Sequence, residues 1–203
     1  MSDWVSAFAP ASIGNVGVGF DVLGLALQGV GDRVQARRVA GEGITVAEVR
    51  GLDGEIHPYL STNTQENTAS IAAQAFWDEH GDGGGVELKV HKGVPLQSGM
   101  GSSAASAVAA VVAANGLLEV PLQAEELLVY AIEGEKYASG GLHADNVAPS
   151  LLGGLVLCPQ ILLPEVIRLP VPDGISAALI HPDLQVNTAQ ARRRLAKSCS
   201  TQQ

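Results

Sequence analysis

Residues 95–110 read PLQSGMGSSAASAVAA. Two glycines and three serines run straight into a stretch of alanine and valine, so the segment reads as a loop feeding a buried helix. Glycines let a backbone approach an anion and turn its N–H groups inward. A helix that starts at Ser102 adds unpaired N–H groups and the positive end of its dipole. The Ser102 and Ser103 hydroxyls suit phosphate oxygens or a cation, and small Ala104, Ala105 and Ala107 let the first turns pack close beneath the loop. A plain Gly/Ser turn with a serine cap is the simpler alternative. Two other glycine motifs fit less well. A Walker-type P-loop needs a lysine after its last glycine, and here Gly101 is followed by serine. Gly99-Met100-Gly101-Ser102-Ser103-Ala104 satisfies the dinucleotide pattern formally. However, the preceding VELKVH (86–91) alternates as a one-sided antiparallel strand does, and no second strand ending in an acidic residue follows.

Outward from the loop, the chain reads as α+β. A strand over residues 4–9 ends at Pro10, GFDVLGLAL (19–27) is a second apolar segment, and DRVQARRV (32–39) and ITVAEV (44–49) alternate as half-buried strands. This opening is antiparallel in character. Asn63 and Glu66 have capping-box spacing, which starts a helix there. Its apolar stripe is Ile71, Ala72, Ala75 and Phe76, and Gly81 ends it. Helices follow over 102–118, broken by Pro121, and over 122–138, ended by Gly140 and Gly141. LLGGLVL (151–157) reads as a buried strand with a glycine bulge. The proline-studded residues 159–172 read as an inter-domain connection, and TAQARRRLAKSCSTQQ (188–203) as an amphipathic helix. There is no internal repeat.

Composition narrows the function classes. The 203 residues carry a formal net charge of −9 and are 46% hydrophobic. That supports a sizeable core and disfavours nucleic acid or anionic membranes as partners through the overall field. Cys158 and Cys199 lie far apart, which suits a reducing cytoplasm better than a disulfide framework or zinc site. No secretory leader is read at the amino terminus, and the apolar 104–118 stretch is too short to span a bilayer.

The eleven residues Pro95-Leu96-Gln97-Ser98-Gly99-Met100-Gly101-Ser102-Ser103-Ala104-Ala105 resemble the P-x-x-x-G-[LM]-G-S-S-A-A signature of the GHMP kinases. FAPASIGNVGVGFDVLGLAL (8–27), SGGLHADNVAPSLLGG (139–154) and, more weakly, HPDLQVNTAQAR (181–192) resemble segments of the homoserine kinase branch. The resemblance implies an amino-terminal domain of the ribosomal protein S5 domain 2-like fold over residues 1–170. It also implies the start of a ferredoxin-like carboxy-terminal domain over residues 171–203. It further implies a cytoplasmic ATP- and Mg²⁺-dependent transfer of the γ-phosphoryl group to the hydroxyl of L-homoserine in threonine biosynthesis, and a homodimer in the full-length protein. A kinase of another small alcohol and a non-catalytic nucleotide-binding module are the alternatives.

Site roles follow from the same resemblance. Residues 95–105 would bind ATP, with Asn67 and nearby Thr68 at the adenine. Asn15, Asp21, His143 and Arg192 would hold homoserine: Asp21 its ammonium, Arg192 its carboxylate by a bidentate pair. Arg193 and Arg194 beside Arg192 are equally the mark of a solvated helix face. Glu135, with Ser102, would ligate Mg²⁺; Glu133 is the rival by position. Ser103, Asn146 and Thr188 would position the transition state. Asn146 stands where some relatives carry a general-base Asp, so direct attack by the hydroxyl is expected and Asp145 is not assigned as the base. The family's further carboxy-terminal motifs have no counterpart in these residues. The expectation is therefore weak or absent activity for this chain alone, an exposed apolar sheet face and a tendency to associate.

Overall fold

The computed structural model describes residues 3–174, together with 176, 178, 180 and 194. Ten elements follow in order: β1 (Val5–Ile13), β2 (Leu23–Val39), β3 (Gly43–Arg50), α1 (Thr68–His80), β4 (Gly85–His91), α2 (Ser102–Asn115), α3 (Leu128–Ser139), α4 (Val147–Leu152), β5 (Leu155–Leu157) and β6 (Ile167–Leu169). A short 3₁₀ turn, Ala124–Leu127, leads into α3. All six strands form one sheet in the order β3-β4-β2-β5-β6, with β1 also paired to β2. Helices cover one face, giving two layers.

The strand parity explains the layering. Val34 and Ala36 of β2, Val86, Leu88 and Val90 of β4, and Ala7 and Ala9 of β1 point inward and are buried. They meet Ala72, Phe76 and Trp77 of α1 and the alanine-valine face of α2, where small side chains let helix and sheet approach closely. Leu127, Leu128, Ala131 and Ile132 close the core from α3, as their helical spacing predicts. The outward face is polar. Arg37 pairs with Glu87 at 2.6 Å and lies over Trp4, and Arg33 lies over Phe8. Among the described residues the expected exposed apolar sheet face is thus covered at Trp4 by Arg37 and in part at Phe8 by Arg33, while Phe8 and Ile167 stay exposed.

Several sequence expectations are corrected. Pro10 does not stop β1; it sits where the register to β2 shifts, and such irregularities are where a sheet tolerates proline. GFDVLGLAL and DRVQARRV are not separate strands but join as the 17-residue β2 from Leu23 onward. ITVAEV does not continue an antiparallel meander. As β3 it crosses over and pairs in parallel with β4, whose other neighbour is β2. Helix α1 starts five residues after Asn63, capped by Asn67, whose side chain accepts from the Ala69 and Ser70 N–H groups. Asn63 makes a local turn instead, accepting from Gln65 N at 3.1 Å. The buried α1 face is offset from the expected stripe, with Ile71 and Ala75 only half buried. Helix α2 ends at Asn115 rather than 118. Leu151 and Leu152 close helix α4 instead of opening a strand; only Leu155–Leu157 pair with β2. Part of the proline-rich stretch is structural, since β6 pairs with β5 in the same sheet. No helix among the described residues is long and apolar enough to cross a membrane.

Candidate nucleotide and substrate site

The loop between β4 and α2 is held from below by a buried polar cluster. Asp32, wholly buried on the inner face of β2, accepts from Gly93 N (2.8 Å) and Val94 N (3.0 Å) through one oxygen. Its other oxygen accepts from Ser106 Oγ (2.6 Å) and pairs with the Lys92 ammonium. Lys92 also donates to the Ser102 carbonyl at 2.8 Å and to Ser106 Oγ at 2.7 Å. Burial pulls the Lys92 pKa down and the Asp32 carboxylate opposes that shift. All three Lys92 protons are thus engaged, and the lysine braces the loop from beneath.

Above this cluster the loop backbone is left-handed at Gln97 (φ 53°), Gly99 (φ 74°) and Gly101 (φ 65°). Left-handed residues at alternate positions let successive N–H groups turn to one side, the backbone pattern of an anion nest. Gly101 caps α2 without any side-chain bond, so neither serine serves as the cap. The first N–H groups of α2 remain available, and the helix dipole adds to their pull on an anion. Met100, Ala105, Ala11 and Val94 form a small apolar cluster behind the loop, and Ala104 is part of the main core. These residues shape the loop by packing rather than by contact with a ligand. Pro95 contributes its carbonyl, which accepts from Ser98 Oγ at 2.7 Å.

The loop forms one wall of a cavity of about 470 Å³, a size typical of small-ligand sites. Asn67, Ser103, Glu135, Asn15, His143, Asp145 and Asn146 complete the walls used below. Glu135, almost fully buried, accepts from Ser103 Oγ at 2.7 Å. Burial pushes its pKa up to about 7, and the Ser103 bond works against that rise. A carboxylate so penalised by desolvation gains from a cation beside it. Glu133 is instead exposed and paired with Lys136 at 2.5 Å. Ser102 does not face Glu135: its hydroxyl donates to Val94 O at 3.0 Å. The geometry thus pairs Glu135 with Ser103, while Ser102 lines the same cavity. Among the described residues no group of three or more His, Cys, Asp or Glu side chains is arranged to hold a metal. Mg²⁺ bound with phosphates needs only one or two protein groups, so the Glu135–Ser103 pair fits it.

At the far end, Asn15 and Asp21 both adopt left-handed backbone, and Asn15 Oδ1 accepts from Asp21 N at 2.9 Å. Asn15 N donates to Asp145 Oδ2 at 3.1 Å. His143 Nδ1 lies 3.7 Å from Asp21 Oδ2. Burial raises the Asp145 pKa, against the Asn15 bond. Asn146 Oδ1 accepts from Ser12 Oγ at 2.9 Å. Asn67 lines the cavity, but its side chain is spent on the α1 cap and on Ser61 O, so it offers position more than free donors. Thr188 and Arg192 lie outside the described residues.

Sequence reasoning missed Asp32, Lys92, Ser106 and Ser12. A usable signal existed for Asp32, because its parity in DRVQARRV puts it on the same face as buried Val34 and Ala36.

This fold, with its uncapped helix at a glycine loop, is that of a GHMP kinase N-terminal domain: residues 67–154 match the family model "GHMP kinases N terminal domain". Homoserine kinases are the chain's homologues. It is 46% identical over 189 residues to the homoserine kinase of Xylella fastidiosa strain 9a5c, a match covering 93% of this chain and 56% of that protein. The homoserine kinase of Chlorobium phaeobacteroides is 41% identical over 97% of this chain and 63% of its own length. A crystal structure of homoserine kinase from Cytophaga hutchinsonii superposes with a TM-score of 0.89 at 42% identity, covering all of this chain and 63% of that one. The Methanococcus jannaschii mevalonate kinase, 13% identical with a TM-score of 0.61, shares the fold. The chain thus spans about 56–63% of the length of these homoserine kinases.

Proposed function

We propose that the chain binds ATP on the 95–105 loop and L-homoserine at the Asn15–His143 end, and supports transfer of the γ-phosphoryl group to the substrate hydroxyl. The observation that carries this reading is one cavity holding an anion nest, a Glu135–Ser103 pair and a polar end at Asn15, His143 and Asn146. The nest N–H groups bind the phosphates and neutralise charge as the bond to the leaving ADP oxygen breaks. Glu135 and Ser103 hold Mg²⁺, which supplies charge neutralisation on the phosphate oxygens. Asn146 sits at the transfer point, while Asn15, Asp21 and His143 orient the substrate. Thr188 and Arg192 keep their proposed roles at the phosphoryl group and the substrate carboxylate. Asp145 accepts from Asn15 N through one oxygen and is not assigned as the base. Positioning and electrostatics therefore drive the step. The division at residue 170, a cytoplasmic location and a homodimer of the complete enzyme are part of the same proposal.

The test is homoserine-dependent ADP formation by the purified chain with Mg²⁺ and ATP, run in competition with serine and other small alcohols. Preferential use of homoserine supports the reading. Preferential use of another alcohol overturns the substrate assignment, and saturable ATP binding with no alcohol-dependent turnover, when the chain is extended to the length of its relatives, makes it a nucleotide-binding module.

A further inference from the structure

We propose that Ser12 is a positioning residue for phosphoryl transfer, acting through the side-chain amide of Asn146; this rests on the kinase reading above. Ser12 is wholly buried in β1, and its Oγ donates to Asn146 Oδ1 at 2.9 Å. Its backbone N–H donates to Met100 O at 3.1 Å, which ties this stretch of β1 to the glycine loop. The amide is also flanked by two bare backbone positions. A Cβ on Gly14 would lie 2.7 Å from Asn146 Nδ2, and one on Gly101 would lie 2.9 Å from Asn146 Oδ1 and overlap Ser12 Oγ. The glycines thus leave just the space the amide fills.

An asparagine amide offers an acceptor at one end and two donors at the other. A phosphoryl group and a hydroxyl under attack present oxygens, so a donor facing them stabilises the transfer and a carbonyl repels it. Ser12 selects between the two orientations. With Oδ1 turned to Ser12, the hydroxyl proton is used and the NH₂ is left for the cavity that Asn146 lines. A flipped amide would point its NH₂ at Ser12 and take away the acceptor that receives the hydroxyl proton here. A buried donor so stranded is costly.

Two measurements on the full chain test this. Ser12→Ala is expected to lower kcat for homoserine-dependent ADP formation by roughly tenfold, with the KM for ATP within about twofold. In an Asn146→Ala background the same change is expected to cause no further loss. Ser12→Thr, which keeps the hydroxyl, is expected to retain kcat within about threefold. An unchanged kcat in Ser12→Ala, equal losses in both backgrounds, or a Ser12→Ala chain that no longer folds would each overturn the proposal. The second measurement is independent of turnover. The side-chain NH₂ resonances of Asn146, assigned by their absence in Asn146→Ala, should be single in the wild type. They should double or broaden in Ser12→Ala as the amide samples both orientations. Unaltered resonances refute the Ser12 role. Turnover that does not respond to homoserine, with an altered Ser12→Ala spectrum, refutes the kinase reading instead.

Discussion

Replacing Lys92 with methionine isolates the buried cluster beneath the glycine loop. Methionine nearly matches the aliphatic stem in volume, so little cavity forms and the change is mainly electrostatic. Asp32 is wholly buried and keeps three neutral donors, Gly93 N, Val94 N and Ser106 Oγ, but loses its counter-charge. The Ser102 carbonyl loses a donor at the same time. Removing one partner of a buried pair costs about 3–5 kcal/mol, because the remaining charge is left in low dielectric. For a chain of this size that corresponds to a fall in Tm of roughly 6–20 °C. The double variant Asp32→Asn/Lys92→Met removes both charges and should recover about half or more of the loss, since well-satisfied neutral groups replace an orphaned ion. Urea and thermal unfolding followed by far-UV circular dichroism measure both. A Lys92→Met chain within about 1 kcal/mol of the wild type would refute the reasoning, as would a double variant less stable than the single one.

Three further outcomes are expected. Gly101→Ala should weaken nucleotide binding by roughly tenfold or more in calorimetric titration, because the residue is left-handed and its Cβ would strike Ser12 and Asn146; Gly99→Ala, left-handed but with open space around it, should cost only about 1 kcal/mol of stability. Glu135 sets a pH dependence. Its pKa is higher folded (about 7) than its ordinary 4.5, so the folded state binds the extra proton and stability falls as pH rises from about 5 to 7. The total is on the order of 3 kcal/mol in the absence of a cation. Glu135→Gln should flatten that slope in melting curves, and Mg²⁺ with ADP should stabilise the wild type more at pH 8 than at pH 6. Asn67→Ala should cost about 1 kcal/mol by removing the α1 cap, read as a Tm fall of about 2–4 °C.

Much of the fold is legible in the sequence where periodicity is strong. The alternation of VELKVH and DRVQARRV assigns inner and outer faces correctly, and the alanine-valine run after Ser102 is the buried helix it reads as. Boundaries fail where competing local signals are equal. Asn63 and Asn67 are both good caps, and the helix takes the one whose start packs α1 against α2 and α3. Helix α4 is illegible because six residues containing a proline carry no helical period; it forms because tertiary packing buries Val147, Ala148 and Pro149.

The site divides in the same way. The PLQSGMGSSAA stretch by itself determines a glycine-rich loop feeding a helix start, since glycines at fixed offsets and a helix start are local properties of the chain. Glu135, Asn15 and His143, which line one cavity, are proposed from sequence through family resemblance rather than through any spacing between them. Only tertiary structure decides that Ser103 and not Ser102 faces Glu135, because one helical step rotates the hydroxyl by about 100°. Only tertiary structure brings Lys92 beneath the loop to Asp32, sixty residues away, and Ser12 to Asn146, 134 residues away. Those contacts depend on which strands neighbour in the sheet, and strand neighbours are set by burial of the whole inner face rather than by any segment's own pattern.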